Sequence, residues 1–283
     1  IIKPRGPVCN LACEYCYYLP KTKRYKNSNF RMSHDLLADF TCQMITAQPG
    51  GQVTFTWQGG EPTLMGLEFF QKAVQLQKEN APAGMRITNA IQTNGLTLTP
   101  DWCRFFKRNN FLVGLSLDGP PDFHNTFRHD PGGKESFSRV LQSIKLLQMH
   151  EVDFNVLCCV HQANQEHPLA VYQFFRDTLE VNFIQFIPIL QRKLTSEGRE
   201  SRNISDISVQ SDAYGRFLIS IFDEWVQKDV GKVFVQIFDI ALSAWMGAPA
   251  GLCVFSETCG RALVLEHNGD LYACDHFVDS EHL

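Results

Sequence analysis

No run in this 283-residue sequence stays apolar for the roughly 18 residues that a helix needs to cross a bilayer. A basic excess is missing too: 26 Lys and Arg stand against 30 Asp and Glu, a formal net charge of −4. That balance gives no electrostatic footprint for nucleic acid and stays compatible with a peptide or protein substrate. No signal-peptide pattern opens the chain, although the abrupt start at Ile1 leaves room for a few trimmed residues. No internal repeat stands out. What is present is a chain 44% hydrophobic and 20% charged, enough for one enzyme domain with a full core and the start of a second. The expected location is cytoplasmic, and there ten cysteines point to metal or redox chemistry before disulfides.

Apolar runs and helical patterns alternate along the chain. After a first strand around Ile1 to Lys3, a helix opens at the cap Ser33, with Leu36, Leu37, Phe40 and Met44 on one face. Strands are expected at 53–57, 87–92, 112–117, 154–160 and 182–187, and further helices at 67–80, from Pro100, at 135–150 and at 169–179. Thr99 caps the helix that Pro100 begins, where a missing amide hydrogen costs nothing. Nearly continuous apolar strands between helices indicate an α/β fold with a parallel sheet, a half-open barrel whose working residues sit at the carboxyl ends of the strands. The stretch 191–211, rich in charge and serine, reads either as a frame for the substrate entrance or as a solvated connector.

Six cysteines fall into two groups. Cys9, Cys13 and Cys16 lie in the run Cys9-Asn10-Leu11-Ala12-Cys13-Glu14-Tyr15-Cys16. Three such ligands hold three irons of a 4Fe–4S cluster and leave the fourth open. They are one too few for a closed structural zinc site, though a distant fourth ligand keeps zinc open on spacing alone. Cys253, Cys259 and Cys274 flank two short apolar runs, 262–266 and 271–273, joined by His267-Asn268-Gly269-Asp270. The Asn-Gly pair favours a type I′ hairpin turn, and three thiolates at the base of such a hairpin make most of a second iron–sulfur or zinc site. Cys42, Cys103, Cys158 and Cys159 read as small buried hydrophobes.

With Gly59-Gly60-Glu61-Pro62 after the second strand, Gln92-Thr93-Asn94-Gly95 after the third and Ser116-Leu117-Asp118-Gly119 after the fourth, the chain resembles the radical S-adenosylmethionine (radical SAM) superfamily. The resemblance implies a partial (β/α)6 barrel carrying a 4Fe–4S cluster and S-adenosylmethionine, whose reductive cleavage yields a 5′-deoxyadenosyl radical. Residues placed like Tyr15, Gly60, Ser116, Arg128 and Leu190 then contact the nucleotide. Gly59 and Gly60 allow close approach to the methionine end, or form an ordinary tight turn. Glu61 accepts from the ammonium group, or is a carboxylate at a helix start. Ser116 and Asp118 suit ribose hydroxyls or the methionine end, and Tyr15 packs on the adenine. Arg128 suits the methionine carboxylate, or is a surface arginine.

The second cysteine group resembles the beginning of a SPASM extension, which implies one or more auxiliary 4Fe–4S clusters completed by further cysteines. The expected organisation is a radical SAM core at 1–210, a helical connector at 211–252 and a truncated auxiliary-cluster domain at 253–283. The motifs taken together are similar to those of anaerobic sulfatase-maturating enzymes. These oxidise a cysteine or serine of an unfolded sulfatase to Cα-formylglycine and draw on an electron donor such as flavodoxin or ferredoxin. Asp275 matches that family's proton acceptor, the alternative being an acceptor that orients the ligand loop. Two other readings stay open: a maturase of ribosomal peptides, and a regulatory protein that binds sulfatase without turnover.

Overall fold

A computed structural model describes residues 1–25, 28–48, 50–194, 200–249, 251–258 and 262–279. Strands β1 (Ile2–Lys3), β2 (Gln52–Trp57), β3 (Arg86–Thr93), β4 (Phe111–Ser116), β5 (Phe154–Val160) and β6 (Phe183–Pro188) lie side by side in chain order, every pair parallel. Between them run α1 (His34–Thr46), α2 (Leu67–Asn80), α3 (Pro100–Arg108), α4 (Pro121–Phe127), α5 (Phe137–Met149) and α6 (Pro168–Gln173). This is the expected partial barrel. Among the described residues no helix is long and apolar enough to cross a membrane.

The strand registers show why the runs look almost continuously apolar. Val53, Phe55 and Trp57 share a face with Ile91, Val113, Leu115, Val156, Cys158, Val160 and Ile184, all buried under the helices. The opposite, hollow face follows the two-residue period through Thr54, Thr56, Gln92, Asn155 and Gln185. One face is thus a core and the other a semi-polar chamber.

Local signals acted as expected at α1, where Ser33 Oγ accepts from the Leu36 N–H at 3.1 Å. The buried line of that helix is Leu37, Thr41 and Ile45, while Leu36, Phe40 and Met44 pack around it half-buried. Two elements differ from expectation. The helix expected to run to 179 opens after Gln173 into a π-helical turn, Phe174–Thr178, where the Leu179 N–H reaches back to Phe174 O at 3.1 Å. Arg176 in that turn pairs with Asp177, Glu224 and Asp229. Helix α4 was not expected, since seven residues are too few to display a helical period.

The 191–211 stretch holds an antiparallel pair, β7 (Arg192–Leu194) and β8 (Glu200–Ile204), with 195–199 outside the described residues. Helix α7 (Ser211–Lys228), strand β9 (Phe234–Val235) and helix α8 (Gln236–Trp245) follow, and β9 adds to the edge at β6. The hairpin β10 (Val264–Glu266) and β11 (Leu271–Tyr272) does not stand apart: β10 pairs in parallel with β1 and extends the barrel sheet to the order β11-β10-β1-β2-β3-β4-β5-β6-β9.

Candidate active site

The cysteine loop follows β1 and lies over the carboxyl ends of the central strands, held by its neighbours. Ala12 and Glu14 donate backbone N–H groups to the carbonyls of His129 (2.7 Å) and Phe127 (3.1 Å). Other donors turn to sulfur: Leu11 N–H to Cys9 Sγ at 3.3 Å, Leu19 N–H to Cys16 Sγ at 3.3 Å, and Asn94 Nδ2 to Cys9 Sγ at 3.5 Å. Such donors stabilise a metal-bound thiolate and set a cluster's potential. The three thiols are free and half-buried, close enough that Cys9 feels the charge of both others and Cys13 that of Cys16. Burial pushes Cys9 up to about 12 and Cys13 up to about 11, so near neutrality a bound metal is what makes them thiolates. This donor set fits a 4Fe–4S cluster with one open iron. Among the described residues no three His, Cys, Asp or Glu side chains close on one point as ligands of a single ion do; a cubane gives each sulfur its own iron.

The glycine turn is pressed against this loop. A Cβ on Gly60 would lie 2.2 Å from the Val8 carbonyl oxygen, and one on Gly59 (φ +131°) 2.9 Å from that of Gly6. The Gly60 N–H donates to Gly6 O at 2.7 Å and the Glu61 N–H to Val8 O at 2.9 Å. Room for a ligand was the expected reason for glycine; the structure supplies another, room for the chain's own backbone. Glu61 takes the helix-start position: it is fully buried, and Oε1 accepts from Thr63 N–H (3.0 Å), Thr63 Oγ1 (2.5 Å) and Thr93 Oγ1 (2.8 Å). Oε2 accepts from the Asn94 N–H at 2.8 Å, which leaves it acceptor capacity for a ligand ammonium. Burial raises the Glu61 carboxyl above its ordinary value despite these donors.

Past β4, Asp118 anchors a buried polar knot. Its carboxylate accepts from Tyr15 OH (2.5 Å), from Arg128 Nε and Nη2 (2.8 and 3.1 Å) and from the Cys159 N–H (2.9 Å). Burial alone would raise this carboxyl, but the Arg128 guanidinium outweighs it and holds Asp118 far below the usual range. Arg128 is 6% exposed and is no surface arginine; Tyr15 is buried at 7% against Phe127 and His161. Ser116 ends β4 at 8% exposure on the hollow face, whereas Leu190 is 73% exposed. The loop after β6 nonetheless reaches the cysteines, since Gln191 Nε2 donates to Glu14 O at 3.4 Å.

His124 supports the knot in its neutral form. Its Nδ1 accepts from the Asp118 N–H at 3.3 Å, so Nε2 carries the proton toward Ser136 Oγ at 2.9 Å. Burial, helped by Arg128, depresses its pKa to about 3. A group depressed on folding contributes stability that is full above its unfolded value near 6.5 and is lost as pH falls toward about 3. Between pH 7 and pH 5 the protein is expected to lose about 2 kcal/mol of unfolding free energy that a His124→Asn variant does not lose. Urea titrations at the two pH values check this, and equal pH slopes in both proteins would contradict it.

The second cysteine group approaches from the hairpin. Cys274 is half-buried, Cys253 is exposed in the short turn Cys253–Phe255, and Cys259 lies outside the described residues. Asp275, after Cys274, meets Lys3 Nζ at 2.5 Å and the Tyr17 hydroxyl at 2.6 Å. Lys3 is 1% exposed and also sits 3.8 Å over the Tyr18 ring, whose hydroxyl donates to the buried Glu266. Burial raises Asp275, but the Lys3 ammonium and the Tyr17 hydroxyl prevail and lower it. Sequence reasoning missed Lys3, Tyr17, Tyr18, Glu266, His161 and Asn164. The signal it held was a lysine inside an apolar two-residue strand and paired tyrosines after Cys16. A cavity of about 660 Å³ lies at the amino ends of β4–β6, lined by Leu112, Phe183 and Phe234, and contains none of these residues.

The chain is similar to several known proteins. The model of the radical SAM superfamily matches residues 4–175. The serine-type anaerobic sulfatase-maturating enzyme of Bacteroides thetaiotaomicron is 47% identical over all of this chain and 70% of its own length. The cysteine-type enzyme of Clostridium perfringens is 33% identical over 98% of this chain and 74% of its own. The solved structure of native anSMEcpe with bound AdoMet superposes with a TM-score of 0.88 at 33% identity, covering 99% of this chain and 75% of that one.

Proposed function

The chain belongs to the radical SAM superfamily and, within it, to the anaerobic sulfatase-maturating enzymes, and from that premise we propose a division of labour among its residues. It is an enzyme that oxidises a cysteine or serine of a sulfatase to Cα-formylglycine. When bound, the 4Fe–4S cluster and S-adenosylmethionine supply a 5′-deoxyadenosyl radical that takes a hydrogen atom from the target β-carbon. Cys9, Cys13 and Cys16 hold the cluster, with Asn94 and the Leu11 and Leu19 amides supporting their sulfurs. Glu61 Oε2 would offer an acceptor to the methionine ammonium beside Gly59 and Gly60, Arg128 would pair with its carboxylate, and Tyr15, Gly60, Ser116 and Leu190 would border the nucleotide.

Asp275 takes the proton from the target hydroxyl or thiol. The observation that carries this is its setting: a carboxylate kept ionised by a buried lysine, directly after Cys274 and tied through Tyr17 to the loop that ends at Cys16. Cys253, Cys259 and Cys274 would help to hold an auxiliary 4Fe–4S cluster, which would supply an acceptor for the remaining electron, in a C-terminal region distinct in role from the barrel core at 1–210 and the connector at 211–252. A flavodoxin or ferredoxin supplies reducing electrons in the cytoplasm.

The test is anaerobic. The protein, reconstituted with iron and sulfide and reduced, receives S-adenosylmethionine and peptides carrying a sulfatase target cysteine or serine. Mass spectrometry is expected to show the mass loss of aldehyde formation together with 5′-deoxyadenosine. An unchanged peptide with 5′-deoxyadenosine present would refute the substrate assignment and keep the radical chemistry.

A further inference from the structure

We infer that Asp118 does not reach the nucleoside but is a positioning residue, which with His161 ties the cysteine loop, through Tyr15, to Arg128. The inference rests on the reading of this site as one for a cluster and S-adenosylmethionine.

It follows from counting acceptors. A carboxylate oxygen offers about two lone pairs. Oδ1 of Asp118 takes Arg128 Nη2 and the Cys159 N–H; Oδ2 takes Tyr15 OH and Arg128 Nε. Four donors already fill the lone pairs of its two oxygens, so a ribose hydroxyl could bond only by displacing Tyr15, Arg128 or the Cys159 N–H. The backbone is committed as well: its N–H donates to His124 Nδ1, and its carbonyl accepts from Asn164 Nδ2 at 3.2 Å.

Tyr15 lies between Cys13 and Cys16, and Arg128 lies in the segment whose Phe127 and His129 carbonyls clip the same loop. Asp118 is therefore bonded both to the loop that carries the cysteines and to the guanidinium beside it. His161 closes the knot from behind. It is 0% exposed, stacked on Tyr15 (centroids 5.8 Å, 28°) and edge-on to Phe127 (4.8 Å, 87°), with Nε2 3.7 Å from Asp118 Oδ2 and neither ring nitrogen hydrogen-bonded among the described residues. A buried imidazole with unmet nitrogens is costly, and its place here is to wedge the Tyr15 ring so that the hydroxyl points at Asp118.

The experiment compares wild type, Asp118→Asn, Tyr15→Phe and the double variant after anaerobic reconstitution, with iron and sulfide content measured first. The readouts are the EPR spectrum of the reduced cluster without ligand and the calorimetric affinities for S-adenosylmethionine and for methionine alone. Asp118→Asn is expected to alter the ligand-free spectrum and to weaken both ligands by about tenfold or more, the scale of a charge-assisted hydrogen bond. Tyr15→Phe moves both readouts the same way, and the double variant adds little because one linkage is broken twice. If Asp118→Asn does not fold, Tyr15→Phe alone carries the test. An unchanged ligand-free spectrum with S-adenosylmethionine weakened and methionine unaffected would make Asp118 a direct nucleoside ligand and overturn the inference. Wild-type protein that takes up no 4Fe–4S cluster would instead overturn the reading of the site.

Discussion

Asp275→Asn is expected to leave 5′-deoxyadenosine formation within a few-fold of wild type while formylglycine production falls by about 10²–10⁴-fold, the range supplied by a positioned general base. The amide keeps the shape of the carboxylate and can still accept from Tyr17, so the tie between Cys274 and the loop ending at Cys16 survives. What it loses is the ability to take a proton and the charge that satisfies Lys3, a lysine 1% exposed with that ion pair at 2.5 Å. Counting both products in one anaerobic assay separates the two roles open to Asp275. A pure loss of aldehyde identifies the base. Aldehyde at the wild-type rate would leave Asp275 as an anchor for Lys3 and Tyr17 only.

Gly60→Ala is expected to act earlier, on assembly of the site. The added methyl would sit 2.2 Å from Val8 O and 2.5 Å from Val8 C, backbone atoms with no rotamer by which to escape. Relief requires the turn and the cysteine loop to part, breaking the Gly60 N–H to Gly6 O and Glu61 N–H to Val8 O bonds. Overpacking of this kind costs about 1–3 kcal/mol, and a displacement of about 1 Å near reacting groups can cost about 100-fold in rate. Thermal unfolding is expected to shift down, iron content to drop below wild type, and S-adenosylmethionine cleavage to fall by about 100-fold. A variant with full iron content and wild-type cleavage would show that the loop tolerates the movement and that the contact is incidental.

Much of the site was legible because its signals are local. Cysteines at 9, 13 and 16 share one short loop, which can converge its own side chains, and Gly59-Gly60-Glu61 sits where a strand must turn into a helix start. The strands came through for a similar reason, since Val53 to Trp57 is a β-branched and aromatic run between glycine pairs and Phe154 to Val160 is a short, mostly apolar run between helical patterns. Less was legible where the same residue types serve two faces. Thr54, Thr56, Gln92, Asn155 and Gln185 are polar positions within mostly apolar strands, and only the register shows that they share one face.

The sequence by itself thus determined the chemistry and the alternation of elements: ligand spacing is set within a few residues, and hydrophobic period within a few turns. The tertiary structure decided which distant groups meet. Tyr15 reaches Asp118 across 103 residues and Tyr17 reaches Asp275 across 258. Lys3 lies opposite Glu266 because β10 pairs in parallel with β1, and no pattern within either segment specifies that edge. Such contacts depend on the order in which strands pack into the sheet, a property of the whole chain's burial of apolar surface and not of any window of it.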